Sequence, residues 1–219
     1  MRRRRPRSYA VTWVLVPAKS LTAAKSRLHT CLQPDARRTL ARDMLRHVLQ
    51  VLASCHTVSS LWLITNSAEV AQLGRREGAE VLTDPRLPAA HLGPVIRHGL
   101  EQLRHRGAGS IAAVVGDLPY LTATDVDGWL SSLTQYDAIL AADRLGCGTN
   151  GLALKATTPV VSCFGHNDSL QRHQRSFRDL GLSHQTLHRP GLSWDIDTPF
   201  DLQRYVEDTR SRAFSVSCR

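Results

Sequence analysis

The chain has 219 residues, of which 42% are hydrophobic and 21% are charged, and this is the composition of an ordinary globular protein. The length favours one domain with a sizeable core, and no apolar run reaches the roughly 20 residues that a membrane-spanning helix requires. The five cysteines are scattered without a Cys-x-x-Cys pair, which argues against a disulfide scaffold and a structural zinc site and favours a reducing cytoplasm.

The net charge of +9 is concentrated at the N-terminus, where "MRRRRPR" holds five arginines and leaves about +4 on the rest of the chain. We therefore expect residues 1–9 to be a disordered basic leader, 10–210 to form the domain and 211–219 to be a tail. No signal-peptide core follows the leader, because the apolar run 11–16 leads straight into Pro17. A basic leader alone gives weak support for a nucleic-acid binder.

Apolar periodicity predicts strands that alternate with helices along the chain. The predicted strands cover residues 11–16, 58–65, 80–83, 111–115, 137–141, 151–154 and 193–197. The predicted helices cover a segment that begins at Pro34 and continues through Leu52, then residues 68–77, 92–106, 122–133, 170–180 and 199–208. Such an alternation predicts a single-domain α/β fold with a mostly parallel sheet and helices on both faces.

A basic loop follows the first predicted strand in "VPAKSLTAAKSRL", residues 16–28. The loop contains Lys19, Lys25 and Arg27. Two interpretations are open: the three cations bind a polyphosphate, or they form a solvated basic loop. The spacing is not that of a P-loop, since G-x-x-x-x-G-K-[ST] is absent.

Three carboxylates stand where predicted strands end. Asp117 follows a strand in "VVGDLPYL", where an acid holds a metal, caps a helix or starts a turn. In "WDIDTPFDL", Asp195 and Asp197 are two apart on a predicted strand and so share one face. Helix capping by Thr198 and a dipole interaction of Asp201 explain the rest of that segment. Neighbouring ionised acids repel unless a cation lies between them, so the three acids predict a Mg²⁺ site.

Two further segments carry polar groups near glycines. "ADRLGCGTNGL" presents Thr149 and Asn150 after tight turns. "CFGHNDSLQRH" places Gly165, Asp168 and Ser169 at a helix start, which suits either a bound phosphate or carboxylate or a plain N-cap.

These five segments, in this order, resemble the guanylyltransferases that make the phosphoacid-guanosine intermediate of coenzyme F-420. The resemblance covers about residues 11–202 and rests on "VPAKSLTAAKSRL", "GDLP", "GTNGLAL", "FGHNDS" and "DIDTPFDL". It implies a fold similar to the glycosyltransferase-A nucleotidyltransferases. It also implies transfer of GMP from GTP to a phosphorylated three-carbon acid, with release of pyrophosphate.

The resemblance further implies a role for individual residues. Asp117, Asp195 and Asp197 would bind Mg²⁺. Lys19, Lys25 and Arg27 would contact the GTP phosphates. Thr149, Gly165, Asp168 and Ser169 would form the site for the acid. Of these residues, Asp117, Asp195, Asp197 and Lys25 are expected to carry the catalysis.

The chain departs from the family pattern at two places. Val95 and Ile96 stand where the family usually has a Leu-Asn pair that contacts the nucleotide. Asp168 stands where the acid-binding serine is expected, and Ser169 comes one residue later. We expect Asp168 to turn away and cap the helix that begins near Leu170, which leaves Ser169 to contact the acid. The acid stays open among phosphoenolpyruvate, 2-phospho-L-lactate and 3-phospho-D-glycerate.

Two other readings remain. One is a different nucleotidyltransferase of the same fold, acting on a molybdopterin or a sugar phosphate. The other is a non-catalytic protein that binds nucleotides or nucleic acid, and three candidate metal acids weigh against it. The expected partners are GTP and the acid, with no membrane; nucleic acid is not favoured, and a homodimer stays open.

Overall fold

The structure is a computed structural model that describes residues 11–84 and 92–217. The expected leader lies outside the described residues. The strands are β1 (Thr12–Pro17), β2 (Val58–Thr65), β3 (Glu80–Thr83), β4 (Ser110–Val114), β5 (Ala138–Ala142), β6 (Thr149–Lys155) and β7 (His184–Leu187). The helices are α1 (Pro34–Ser54), α2 (Ala68–Arg76), α3 (Leu92–His105), α4 (Ala123–Ser131), α5 (Ser169–Asp179), α6 (Pro190–Ser193) and α7 (Pro199–Ser217).

The strands form one sheet in the order β3-β2-β1-β4-β6-β5-β7. β6 runs antiparallel to β4 and β5, and the other pairs are parallel, so the prediction of a mostly parallel sheet is confirmed. Because β6 is reversed, its first residue, Thr149, pairs with Ala142 at the end of β5. The start of β6 therefore lies at the same edge of the sheet as the carboxyl ends of the parallel strands, where ligands bind in open α/β sheets.

Alternating strand residues enter two cores on opposite faces of the sheet. In β1, Val14 and Val16 pack with α1, α2 and α4, whereas Leu15 packs with α3 and α5. All three of these side chains are fully buried. Helices thus cover both faces, as the alternation of strands and helices predicted.

Several helix boundaries follow local sequence signals. Pro34 is the first residue of α1, where its missing N–H costs nothing. The Ser67 hydroxyl accepts a hydrogen bond from Val70 N and caps α2. Gly78 and Gly107 follow α2 and α3 with φ of 83° and 97°, which only glycine adopts at low cost.

A third apolar cluster joins the basic loop to the C-terminal segment. Leu28 and Ile196, both fully buried, pack with Met44 of α1 and are flanked by Leu202 and Tyr205 of α7. Leu28 ends the basic loop, and Ile196 separates two of the predicted metal acids. This cluster therefore fixes the loop and the acids against each other.

The predicted strand 193–197 is wrong. Ser193 instead ends α6, and residues 194–197 have no regular secondary structure. The last strand of the sheet is β7, "HQTL", which was missed. It is an edge strand whose residues are all half-buried, so it lacks the apolar alternation that marks a strand in sequence. α7 is longer than expected and ends at Ser217.

Among the described helices, none combines the length and the apolar character needed to cross a membrane.

Candidate active site

Three carboxylates converge at the carboxyl edge of the sheet. Asp117 lies in the turn after β4, and Asp195 and Asp197 lie in the irregular segment before α7. One carboxylate oxygen from each residue lies within 4.8 Å of the other two. The buried side chain of Ile196 anchors the segment between the two later acids. The three predicted metal acids are thus brought together, although Asp195 and Asp197 do not lie on a strand as predicted.

The Lys25 side chain is inserted among these acids. Its Nζ lies 2.6 Å from Asp117 Oδ2 and 3.2 Å from Asp197 Oδ1, and its side chain is 7% exposed. Arg27 Nη1 lies 3.3 Å from Asp197 Oδ2, and the arginine is exposed. Among the described residues, Lys25 is the non-glycine residue with a positive φ, 53°. This conformation costs on the order of 1–3 kcal/mol, and such strain is characteristic of functional sites.

The electrostatics of the cluster follow from burial and crowding of charge. Burial, together with the charges of Asp117 and Asp197, raises the pKa of Asp195 to about 6. Burial alone would lower the pKa of Lys25, but the two carboxylates outweigh it and raise that pKa above its ordinary value. Lys25 is therefore charged at neutral pH. Its charge does not offset burial and the two neighbouring carboxylates, which disfavour the ionised form of Asp195.

The cluster has the chemistry of a divalent-cation site. Its donors are carboxylate oxygens, the hard ligands that Mg²⁺ and Mn²⁺ prefer. The raised pKa of Asp195 shows that its ionised form is disfavoured without further positive charge. Asp117, Asp195 and Asp197 therefore fit a divalent metal ion.

Two cavities meet at the acids. The first, of about 300 Å³, is lined by the basic loop, including Lys19 and Lys25, and by Ala41 and Leu45 of α1. The second, of about 450 Å³, is lined by the turn 143–148, the start of β6 and the turn 164–167. Asp117 and Asp197 line both. A ligand in either cavity thus reaches the same carboxylates.

The second cavity holds a hydroxyl that is oriented by a buried histidine. The side chain of His173 is buried, and burial lowers its pKa to about 4, so the ring is neutral. Cys163 N donates to its Nε2 at 2.8 Å, which assigns the ring proton to Nδ1, 3.1 Å from Thr149 Oγ1. Thr149 therefore accepts from His173 and retains its own hydrogen for another acceptor. No local pattern in the sequence marks His173 as a residue of the site.

Ser169 is bonded to the start of β6. Its Oγ accepts a hydrogen bond from Thr149 N at 3.0 Å, and the residue is 3% exposed. Gly165 adopts a φ of 89°, and a Cβ there would lie 3.3 Å from Leu92 N. Both residues line the second cavity, as expected of an acid site.

Asp168 turns away from the cavity, but it does not cap α5 with its side chain. Its Oδ1 instead accepts from Arg172 Nε at 2.6 Å in an exposed i,i+4 pair. It does not appear among the described residues that line the cavity, so its placement gives no support to a contact with the acid. Val95 and Ile96 belong to α3 and are buried in the core on one face of the sheet, and they line neither cavity.

Asp201 has a larger structural role than a helix-dipole interaction. Its Oδ2 accepts from Thr198 Oγ1 at 2.7 Å, Thr198 N at 2.8 Å and Asp197 N at 3.2 Å. Its Oδ1 accepts from Arg144 Nη2 at 3.1 Å, and the residue is 5% exposed. These bonds tie a metal acid, the start of α7 and an arginine of the turn 143–148 to one carboxylate.

We expect Asp201→Asn to lower the free energy of unfolding by about 1–3 kcal/mol, because the amide that replaces a buried carboxylate loses its charge-assisted hydrogen bonds. A dipole interaction alone would cost only about 0.3–1 kcal/mol. These bonds hold the pKa of Asp201 below its ordinary value despite burial, so the deficit should be full at neutral pH and shrink as the pH falls below about 4. Urea unfolding at pH 7 and pH 3.5 measures the deficit, with Asp43→Asn, a change at a half-buried aspartate of α1, as control. A deficit equal to that of the control would contradict the expectation.

A family model described as "Guanylyl transferase CofC like" matches residues 12–217, which is nearly the whole described chain. The chain belongs to this family. The predicted resemblance is confirmed, and with it the assignment of the protein as a nucleotidyltransferase.

Curated members of the CofC family are similar along most of their length. A phosphoenolpyruvate guanylyltransferase from Sphaerobacter thermophilus is 38% identical over 192 residues, covering 88% of this chain and 91% of the relative. A 3-phospho-D-glycerate guanylyltransferase from Phenylobacterium zucineum is 34% identical over 181 residues, covering 81% and 82%. Relatives with different acid substrates are thus found at similar identity.

Solved structures confirm the fold. A Desulfovibrio desulfuricans protein described as a nucleotide-diphospho-sugar transferase superposes with a TM-score of 0.73 at 20% identity, covering 87% of this chain and 84% of the other. Glucosyl-3-phosphoglycerate synthase from Mycobacterium tuberculosis, solved with Mn²⁺, UDP and phosphoglyceric acid, gives a TM-score of 0.59 at 13% identity, covering 89% and 73%. The predicted nucleotidyltransferase-like α/β fold is therefore confirmed.

Proposed function

We propose that this chain transfers GMP from GTP to phosphoenolpyruvate and releases pyrophosphate. The observation that carries the proposal is the cluster of three carboxylates and Lys25 at the junction of two cavities. Membership of the CofC family and the names of its curated relatives support the guanylyl donor and the phosphorylated acid.

Phosphoenolpyruvate is preferred over 3-phospho-D-glycerate because of the orientation of two side chains. A hydroxylated acid would be favoured if Asp168 faced the ligand and Ser169 faced solvent. The reverse arrangement is found, since Asp168 pairs with Arg172 at the surface and Ser169 is buried beside Thr149. 3-Phospho-D-glycerate remains the second candidate, supported by the relative that carries this name.

In the proposed reaction, a phosphate oxygen of the acid attacks the α-phosphorus of GTP, and the bond to the bridging oxygen of pyrophosphate breaks. The nucleophile is already anionic, so no side chain has to remove a proton. Lys19, Lys25 and Arg27 neutralise the phosphates of GTP and the leaving pyrophosphate. When bound by Asp117, Asp195 and Asp197, Mg²⁺ supplies a Lewis acid for the phosphate oxygens.

Thr149 and the Gly165 backbone orient the acid in the second cavity. The Thr149 hydroxyl is held by His173 and donates to an anionic oxygen, and the backbone of Gly165, whose φ is positive, lines the same cavity and offers its N–H to the anion. We further propose that the product enters coenzyme F-420 synthesis in the cytoplasm, as the family implies. A globular domain of about residues 10–210 after a basic leader remains part of this proposal.

The test is pyrophosphate release by the purified protein with Mg²⁺, each of the four nucleoside triphosphates and a panel of phosphorylated acids. We expect release with GTP and phosphoenolpyruvate, and none when the acid is omitted. Release with a sugar 1-phosphate or a molybdopterin, and with none of the three-carbon acids, would contradict the proposal and favour another nucleotidyltransferase of this fold.

We expect Asp195→Asn to stabilise the metal-free protein while it removes activity. Because its pKa is raised in the folded protein, Asp195 is compatible with the fold when it is protonated and destabilises the fold when it is ionised. Its favourable contribution to stability is therefore complete below pH 4 and is lost as the pH rises through about 6. At pH 7.5 the variant should gain about 1–2 kcal/mol in unfolding free energy. Urea unfolding in a chelator, at pH 7.5 and pH 4, measures the gain. A loss of stability at pH 7.5 would show that Asp195 is a structural acid.

A further inference from the structure

Arg144 lines the second cavity, and the reaction proposed above assigns it no role. It belongs to the turn between β5 and β6, which is held by hydrogen bonds from Cys147 N to Asp143 Oδ1 at 2.9 Å and from Asp143 N to Gly148 O at 3.1 Å. Arg144 lines the second cavity but not the first. The position of its backbone is therefore defined by the fold.

The guanidinium of Arg144 is also oriented. Its Nη2 donates to Asp201 Oδ1 at 3.1 Å, and its Cζ lies 4.6 Å from the centre of the Trp194 ring. Asp201 is itself buried and bonded to Asp197 N. The side chain of Arg144 is still 36% exposed. A planar cation with five N–H donors is thus held by Asp201 and lies near two aromatic rings, Trp194 and Phe200, while part of it stays exposed.

Acids outnumber arginines among the residues that line the second cavity. Five aspartates line it: Asp117, Asp143, Asp195, Asp197 and Asp201. The arginines among its described lining residues are Arg27 and Arg144. Arg27 also lines the first cavity, whereas Arg144 does not, so Arg27 serves the nucleotide side. An anionic acid in the second cavity therefore has Arg144 as its own cation.

We propose that Arg144 binds the carboxylate of the phosphorylated acid and so selects carboxylated substrates. The inference rests on the proposed function. The phosphate of the acid has to lie at the metal acids to meet GTP. In phosphoenolpyruvate the carboxylate is bonded to the carbon that carries the phosphate, so it lies close to these acids, and in 3-phospho-D-glycerate it is one carbon farther away. A guanidinium fork matches a carboxylate in a bidentate manner. Asp201 bonds both Arg144 and Asp197 N, and it therefore sets the carboxylate site at a fixed distance from the reaction centre.

The experiment compares substrates with and without the carboxylate in each enzyme variant. The pairs are phosphoenolpyruvate with vinyl phosphate, and 3-phospho-D-glycerate with glycerol 3-phosphate. For each variant we measure kcat/KM for both members of a pair by pyrophosphate release with GTP. The ratio is kcat/KM of the carboxylated substrate divided by kcat/KM of the substrate that lacks the carboxylate. This ratio does not depend on the fraction of folded enzyme, so a loss of stability on removing the partner of Asp201 does not affect it.

We expect Arg144→Gln to lower the ratio by about 10- to 100-fold, because one charge-assisted interaction with the carboxylate is lost. Arg144→Lys keeps the charge and should give an intermediate ratio, with the KM for GTP nearly unchanged. Arg97→Gln removes an exposed arginine that also pairs with an acid, Glu101, but lies on α3 outside both cavities, and it should match the wild type.

Two outcomes would overturn the inference. Equal ratios in the wild type, Arg144→Lys and Arg144→Gln, in an enzyme that uses the acids, would remove Arg144 from the acid site and leave the proposed function standing. A wild-type enzyme that uses none of the acids would overturn both, and the wild-type assay alone distinguishes this case.

Discussion

Asp117→Asn is expected to lower pyrophosphate release by about 1,000-fold while leaving the fold intact. The variant keeps the shape of the side chain but removes one of three carboxylates that converge on a divalent-cation site. It also removes the closest charge partner of Lys25, at 2.6 Å. Asp117 is part of a turn at the cavity surface and carries no core packing, so the loss should be catalytic.

Steady-state kinetics over a range of Mg²⁺ concentrations measures the effect, and circular dichroism checks the fold. Asp43→Asn is the matched control, because Asp43 also pairs with a cation, Arg46, at 3.4 Å, but lies on α1 outside both site cavities. Near-normal turnover in folded Asp117→Asn would show that the acid only starts a turn.

Lys25→Met is expected to lower kcat/KM for GTP by about 100-fold, with a smaller effect on the KM of the acid. Methionine has a similar length and no charge, so the basic loop loses the cation that lies between Asp117 and Asp197 and lines the first cavity. The triphosphate would then meet the carboxylates with less compensating charge.

Lys155→Met is the control for this change. Lys155 also pairs with an aspartate, Asp137, at 3.2 Å, but it lies at the far end of β6. Initial-rate measurements with GTP and the acid varied in turn separate the two KM values. A larger rise in the KM of the acid than in that of GTP would assign the basic loop to the wrong substrate.

Much of this site was predictable because its signals are local. Asp117 was predicted to lie at a strand end because a glycine, an acid and a proline follow an apolar run. Lys25 was predicted as a site residue because cations are concentrated in the loop after the first strand. Asp195 and Asp197 were found for a reason that is partly wrong. They share a site because buried Ile196 anchors an irregular segment, not because they alternate on a strand.

The features that were missed depend on contacts between distant parts of the chain. Arg144 and Asp201 are 57 residues apart, and the role of His173 depends on Thr149, 24 residues before it. Strand β7 is polar and joins the sheet at an edge next to β5, so no periodic pattern marks it. Local rules predict elements and turn chemistry, but they do not predict which side chains meet across the fold.

The most direct test of the central claim follows the labelled phosphorus atoms of GTP. The protein is incubated with Mg²⁺, phosphoenolpyruvate and GTP that carries ³²P at either the α or the γ position. We expect the α label to appear in a product that contains the acid, and the γ label to appear in pyrophosphate. Transfer of the γ label to the acid, or release of pyrophosphate with the α label left in free GMP, would contradict guanylyl transfer.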